Sequence, residues 1–379
     1  MKISASSIAL LLNLIVGASA FAPLQTANIN INDRCNTELM ASSGKMNCRP
    51  IGIGSAAPDT IITNVDLESV VETNDEWIAT RTGISQRHVL TGDEKLRTLG
   101  AKAAQQALDM AGISAEDLDL VICATSSPDD MFGDATAIAA EIGCSKDTVG
   151  FDLTAACSGF LLGSVTAGQF LSCPGTTMKN VLVVGADALS RWVDWDDRNS
   201  CILFGDGAGA MVLTNQGDEE PGLLGFSAHS NGEGYGDLNC LYNGVPRPIS
   251  TPGEDTILSS GKYQKIEMNG QEVYKFATRE VPKVLKEALE AADISVDEVD
   301  WLLLHQANIR IMEIVAKRMG MPFDKVITNL KSYGNTSAAS IPLALDEAVR
   351  SGKVKKGDVI ACAGFGAGLT WGATIMRWG

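Results

Sequence analysis

Two stretches of this chain repeat one another at a fixed spacing. Ala107-Leu-Asp-Met-Ala-Gly-Ile-Ser-Ala-Glu-Asp-Leu-Asp119 runs into Leu120-Val-Ile-Cys-Ala124. Ala288-Leu-Glu-Ala-Ala-Asp-Ile-Ser-Val-Asp-Glu-Val-Asp300 runs into Trp301-Leu-Leu-Leu-His305, an offset of 181 residues held throughout. Each copy reads as amphipathic helix, acidic turn and buried strand. The parallel continues in the same order. Asn180 to Gly185 and Asp358 to Ala363 are apolar runs of strand length, each followed by a Gly-rich segment and a closing apolar run, Ala208 to Leu213 and Leu369 to Met376. A chain patterned in this way folds as α/β layers. Two similar halves packed together bring their strand ends side by side, and the cleft between them is the natural site.

The Gly-rich segments Gly205-Asp-Gly-Ala-Gly209 and Gly364-Phe-Gly-Ala-Gly368 have the look of a dinucleotide fingerprint. That fingerprint needs a helix after it. Strand-like residues follow both segments here, Met211-Val-Leu213 and Leu369-Thr-Trp371, so tight turns and close backbone approach are the better reading. A nucleotide-dependent dehydrogenase is thereby disfavoured.

Charge narrows the partners. The chain carries a formal net charge of −16, which argues against nucleic-acid binding, where a basic surface must displace counterions. An acidic partner would need a local basic patch. Arg310, Lys317 and Arg318 supply one on a single amphipathic stretch; positions 310 and 317 lie two helical turns apart on one face, and Lys275 is a further candidate. The cysteines show no CxxC and no Cys/His pair at zinc-ligand spacing, so no metal site is expected. In a chain of this size they read as reduced thiols.

Three residues stand where chemistry is favoured. A strand-like run from Thr148 ends in small residues and Cys157, and the helical run Phe160 to Leu171 follows. A thiol at a helix N-terminus meets unpaired N–H groups and the helix dipole, which favour thiolate. His305 ends the apolar strand Trp301 to Leu304 and opens Gln306-Ala-Asn-Ile-Arg310. Asn335 sits in Tyr333-Gly-Asn-Thr-Ser-Ala-Ala-Ser340, ahead of the helical run Ile341 to Val349. Taken singly, each has an ordinary alternative: a buried spacer thiol, a satisfied structural histidine and a helix N-cap.

Together, the three segments resemble the β-ketoacyl-acyl-carrier-protein synthase III family of thiolase-like condensing enzymes. The resemblance runs from Pro50 to Gly379. It includes Asp75-Glu-Trp-Ile-Ala-Thr-Arg-Thr-Gly-Ile84, Phe204-Gly-Asp-Gly-Ala-Gly209 and Leu369-Thr-Trp-Gly372. It implies a thiolase-like fold of two pseudo-symmetric α/β halves, residues 48–216 and 217–379, in a five-layered α-β-α-β-α unit. It also implies a Cys157, His305 and Asn335 site for decarboxylative Claisen condensation of a short acyl-CoA, acetyl-CoA above all, with malonyl-acyl carrier protein. The acyl group would ride as a thioester on Cys157, whose backbone N–H, with that of Ala367, resembles the oxyanion hole. Ala367 stands where many members have Gly, a change that a backbone donor tolerates if φ is negative.

Substrate contacts follow from the same resemblance. Trp77 and Arg198 resemble the pair that sandwiches the CoA adenine; Arg81 resembles a phosphate contact, and Ala307 and Asn308 line the pantetheine path. Phe132 and Phe365 belong to the acyl pocket, Phe132 closing it across a homodimer. Lys275, Gln306, Arg310, Lys317 and Arg318 are expected to meet acyl carrier protein. No cofactor is implied. A chalcone-synthase-like polyketide enzyme using malonyl-CoA shares Cys-His-Asn and is the alternative; a thiolase-fold scaffold without turnover is disfavoured by the intact trio.

The N-terminus reads as an address. Lys2, the apolar run Ile8 to Val16 and Gly17-Ala-Ser-Ala20 have the form of a signal peptide over residues 1–20. That run is too short to span a bilayer, and no membrane association is expected of the mature form. Residues 21–47 are rich in Asn, Thr and Ser and poor in acids, as transit peptides are. The junction Ala18-Ser-Ala-Phe-Ala-Pro23 resembles the bipartite presequence of algae whose plastid lies inside extra membranes. Delivery to the plastid stroma is expected, with the secretory pathway as the alternative.

Overall fold

The computed structural model describes residues 45–217, 220–251 and 254–379. The presequence assignments therefore lie outside the described residues, except at Lys45-Met46-Asn47. Met46 is buried and its N–H bonds to Leu223 O at 2.8 Å, so the ordered body begins before Cys48. No helix among the described residues is long and apolar enough to cross a membrane.

The first half supplies strands β1 (Arg49–Ala56), β2 (Leu120–Ala124), β3 (Val149–Leu153), β4 (Asn180–Ala188) and β5 (Asp206–Thr214). Its longer helices are α1 (Asp75–Thr82), α2 (Leu96–Ala111), α3 (Ala135–Ile142) and α4 (Gly159–Ser172). The second half supplies β6 (Leu223–Ser230), β7 (Trp301–Leu304), β8 (Val326–Ile327), β9 (Val359–Gly366) and β10 (Thr370–Arg377), with α5 (Gly270–Ala292), α6 (Ile309–Met319) and α7 (Ser340–Arg350). The first sheet runs β1-β5-β4-β2-β3 and the second β6-β10-β9-β7-β8, the same order with the same directions. Equivalent registers follow: Leu120 pairs with Val181 in one sheet, and Trp301, 181 residues on, with Ile360 in the other.

The repeat seen in the sequence is built from local rules. Helix α2 ends at Gly112 in the left-handed region, φ 69°, and α5 ends at Asp293 in the same region, φ 55°. Each is a left-handed C-cap that turns the chain out of the helix. A short 3₁₀ turn follows in both copies, closed by a capping box, Ser114 with Asp117 and Ser295 with Glu298. The strand then enters the core.

Five layers result. α2 and α3 cover the outer face of the first sheet, with Leu99, Leu108 and Ile138 against Val121 and Val184. α5 and α6 cover the outer face of the second, with Val284, Leu285 and Met312 against Leu302 and Ala361. Between the sheets lie α4 and α7, where Phe160, Leu161 and Leu345 meet Ile122, Val183, Leu303 and Ile360. Each such side chain, once fully buried, contributes about 1.5–3 kcal/mol. The two central helices are thus fixed from both sides, and the turns that start them are held where the halves meet.

The Gly-rich segments are strand rather than turn over most of their length, since Gly207 and Gly209 lie in β5 and Gly364 and Gly366 in β9. Close approach explains them. A Cβ at Gly209 would stand 2.7 Å from Pro342 Cβ, and one at Gly205 would stand 2.3 Å from Tyr333 O.

Candidate active site

Cys157 sits in the 3₁₀ turn Ala156–Ser158 between β3 and α4. Ala156 takes φ 46°, an uncommon value for a residue with a Cβ, and this sharp turn sets the next residue at the start of the helix. Gly366 leaves room for it: a Cβ there would fall 2.6 Å from Cys157 N. Gly364 and Gly366 therefore run past the Cys157 backbone, and Ala367, next in the chain, is not among the residues of positive φ.

His305 follows β7, its N–H bonding to Ala363 O at 2.8 Å. Its Nδ1 lies 2.7 Å from Ser340 Oγ, and its ring meets Phe365 edge-on at 5.4 Å between centroids. Burial pushes the imidazole down to about 3 from an ordinary 6.5, so it is neutral near pH 7. Asn335 is clamped through its backbone, its N–H to Leu203 O at 2.8 Å and its carbonyl accepting from Gly205 N at 3.0 Å. Gly334 before it takes φ 65°, which its missing Cβ allows. The Asn335 Oδ1 accepts from Ser337 N at 2.9 Å, so its amide N–H₂ is the end available to a ligand.

Cys157, His305 and Asn335 are 7%, 2% and 7% exposed and line one cavity of about 1000 Å³. Its outer lining includes Trp77, Arg81, Lys275, Ala307, Asn308 and Arg310, while Phe365 lines its inner part. Helix α1 brings its own residues to the mouth. Gly83 ends it at φ 81°, and a Cβ there would fall 2.7 Å from Ile309 Cβ. The close approach is tied by Asn308 Nδ2 donating to Arg81 O at 3.1 Å and Arg310 to Thr80 O at 3.0 Å.

Two expectations need correction, and the remaining residues are placed as follows. The helix N-terminus does not make Cys157 acidic: burial pushes its thiol up to about 12. Gln306 is 0% exposed and cannot meet a protein partner; its amide donates to Leu304 O and Ile327 O and accepts from Asn329 N, which ties the end of β7 in place. Arg198 lies 4.5 Å over the Trp77 ring, and Arg81 lies 4.4 Å over the same ring. An adenine between Trp77 and Arg198 needs roughly 7 Å, two van der Waals contacts, so that sandwich is shut. Phe132 is 96% exposed and lines no part of this chain's cavity. Lys317 and Arg318 are exposed but lie off its rim, and Arg318 donates to Thr278 O at 2.7 Å.

A carboxylate that the sequence reading passed over stands behind the site. Asp187, in β4, is fully buried. Its Oδ1 accepts from Ser126 N and Ser127 Oγ at 2.8 Å and Thr125 Oγ1 at 3.2 Å; its Oδ2 accepts from Ala338 N at 3.1 Å. It thus ties the Asn335 turn of the second half to the first sheet. The wall from Met268 to Tyr274 was also missed, because its residues match no catalytic or ligand-binding motif.

The sequence matches the family described as 3-oxoacyl-[acyl-carrier-protein] synthase III over residues 151–232 and that family's C-terminal part over residues 289–378. It is 57% identical over 327 residues to a β-ketoacyl-[acyl-carrier-protein] synthase III of Acaryochloris marina, covering 86% of this chain and 96% of that protein. The chain belongs to the 3-oxoacyl-[acyl-carrier-protein] synthase III family. A chloroplastic β-ketoacyl-[acyl-carrier-protein] synthase III B of Cuphea wrightii is 52% identical, covering 88% of this chain and 83% of that one. The crystal structure of the Aquifex aeolicus 3-oxoacyl-[acyl-carrier-protein] synthase III superposes with a TM-score of 0.78 at 40% identity, covering 87% of this chain and all of that one. The fold is the thiolase-like fold of this synthase III family, as the resemblance implied.

Proposed function

We propose that this synthase III family member condenses a short acyl-CoA, acetyl-CoA above all, with malonyl-acyl carrier protein, and so starts fatty-acid synthesis. The observation that carries this is the convergence of Cys157, His305 and Asn335 in the buried part of one cavity whose mouth holds Trp77, Arg81, Lys275 and Arg310. The Cys157 sulfur attacks the acyl-CoA carbonyl, the bond to the CoA sulfur breaks, and the thiol proton leaves with CoA. The Cys157 and Ala367 N–H groups face the carbonyl oxygen in that step. Malonyl thioester then loses CO₂. The enolate oxygen takes hydrogen bonds from neutral His305 and the Asn335 amide. The enolate carbon displaces Cys157 from the acyl group, and the sulfur regains a proton. No cofactor is needed, because both steps move only acyl groups, CO₂ and protons.

CoA enters by the Trp77 mouth, where Arg198 swings off the ring to admit adenine; Arg81 meets phosphate, and Ala307 and Asn308 border the pantetheine arm. Lys275, Arg310, Lys317 and Arg318 lie on α5 and α6, a basic strip suited to an acidic carrier protein despite the net −16. Phe365 borders the acyl group. Phe132, exposed in a single chain, suits closure of the acyl pocket of a second copy in a homodimer. Chloroplastic relatives and the presequence pattern support a plastid location.

The test incubates the protein with acetyl-CoA and reads the intact mass, then adds malonyl-acyl carrier protein. An acetyl adduct on Cys157 followed by one round of condensation is expected. Repeated extension from malonyl-CoA would replace this reading with the polyketide one.

A further inference from the structure

His305 can serve an enolate only as a donor, and a neutral imidazole has one N–H to give. Which nitrogen carries it is set by whatever the other nitrogen meets. Here Nδ1 meets Ser340 Oγ at 2.7 Å. Both residues are buried, and Ser340 is the first residue of α7. The Ser340 hydroxyl has no other hydrogen-bond partner among the described residues. Two arrangements are open. If Nδ1–H donates to Ser340, the serine proton is left buried without an acceptor, which costs about 1–3 kcal/mol. If Ser340 donates to Nδ1, every polar hydrogen has a place, and Nε2–H is left for the cavity that His305 lines.

We propose that Ser340 is a positioning residue that donates its hydroxyl proton to His305 Nδ1 and so holds the imidazole as the Nε2–H donor for condensation. The proposal rests on the condensing reading of the site for its consequence, but not for its geometry. Ser340 touches no substrate; it acts through His305. The low basicity of the buried ring agrees with it, since a doubly protonated imidazole would have no lone pair for Ser340 to meet. The beginning of the first half's central helix offers a contrast. There Gly159 occupies the start of α4, and a Cβ on it would already stand 3.1 Å from Ala124 Cβ and 3.5 Å from Ala338 Cβ. Only the second half has a hydroxyl in this place.

The chain has three histidines, so ¹⁵N-histidine labelling gives a spectrum simple enough to read the His305 tautomer directly, with His305→Gln for assignment. In the unaltered protein at pH 7, protonated Nε2 and bare Nδ1 are expected. Ser340→Ala is expected to mix the tautomers and slow condensation roughly 10-fold, the worth of one hydrogen bond, while acetyl transfer to Cys157 changes less than about 2-fold. Ser340→Thr, which keeps the hydroxyl, is expected to restore the single tautomer. A protonated Nδ1 in the unaltered protein overturns the proposal, and so does an unchanged tautomer in Ser340→Ala. Absence of condensation in the unaltered protein counts against the condensing reading alone, because the spectra still decide the tautomer.

Discussion

The Cys157 turn and the Asn335 turn occupy equivalent places in the two halves, yet they carry different chemistry. Each lies between the third strand of its half and the central helix. Each has a 3₁₀ turn opened by a non-Gly residue of positive φ, Ala156 at 46° and Ser337 at 50°. By this match Cys157 corresponds to Ala338 and Gly159 to Ser340. In the first half the turn presents a sulfur. In the second, the backbone N–H of the equivalent residue is spent on Asp187, and function has moved to the flanks, to Asn335 before the turn and Ser340 after it. The two halves share one frame, and different residues at a few positions divide nucleophile from donors.

The largest expected effect breaks the first turn. Cys157→Ala should show no acetyl adduct by intact mass, and condensation should fall by roughly 10³-fold or more. Breaking the second turn should separate the steps. Asn335→Ala should leave acetyl transfer nearly unchanged and slow condensation about 10²- to 10³-fold, read by comparing burst acylation with steady-state turnover. Equal loss of both steps in that variant would dissolve the division proposed between the turns.

The tie between the halves comes next. Asp187→Ala leaves the Ser126 and Ala338 amides and two hydroxyls without their acceptor, and should lower unfolding stability by about 3 kcal/mol in a denaturant titration. Asp187→Asn should cost less. His305 gives a pH signature. The folded imidazole stays neutral down to about 3, whereas the unfolded one protonates near 6.5. The unfolded state therefore binds more protons as pH falls below 6.5, and stability drops by up to about 1.4 kcal/mol per pH unit. Buried Asp134, Asp187 and Asp206 are raised by burial and act in the opposite sense, so the measure is the difference in slope between the unaltered protein and His305→Gln from pH 6 to pH 4.

The smallest effect compares the two helix ends. Asp293 holds a left-handed φ that Gly112 adopts without strain. Asp293→Gly should stabilise by about 0.5–1 kcal/mol and Gly112→Ala should destabilise by about 1 kcal/mol, both read as shifts in melting temperature. Equal responses would mean that the two ends are not held by the same backbone geometry.

Much of the frame was legible in the chain itself. Helix period, capping serines and buried strands depend on residues within a few positions of one another, so the repeat at Ala107 and Ala288 could be read directly. The candidate trio was legible for a related reason: each member stands at the end of a local element, and the neighbours of Cys157 and Asn335 are small or glycine. Gln306 was misread because its exposure depends on Ile327 and Asn329, neither of which lies in its own element. The thiol of Cys157 was expected to be acidic because the helix start is visible in sequence, whereas the burial that outweighs it is not. Asp187 gave no signal, since a carboxylate at a strand end looks like any exposed one until four donors are seen around it.

The sequence by itself determined the two-half architecture, the turns that begin the central helices and the residue types placed on them, because those follow from short-range sterics and hydrogen bonding. Only the tertiary structure decided which of those residues share a cavity, which face solvent, and what each polar atom meets. Those outcomes depend on contacts between elements far apart in the chain, where Ser340 comes within 2.7 Å of His305 inside the second half and Gly366 of that half lets β9 pass against the Cys157 backbone of the first.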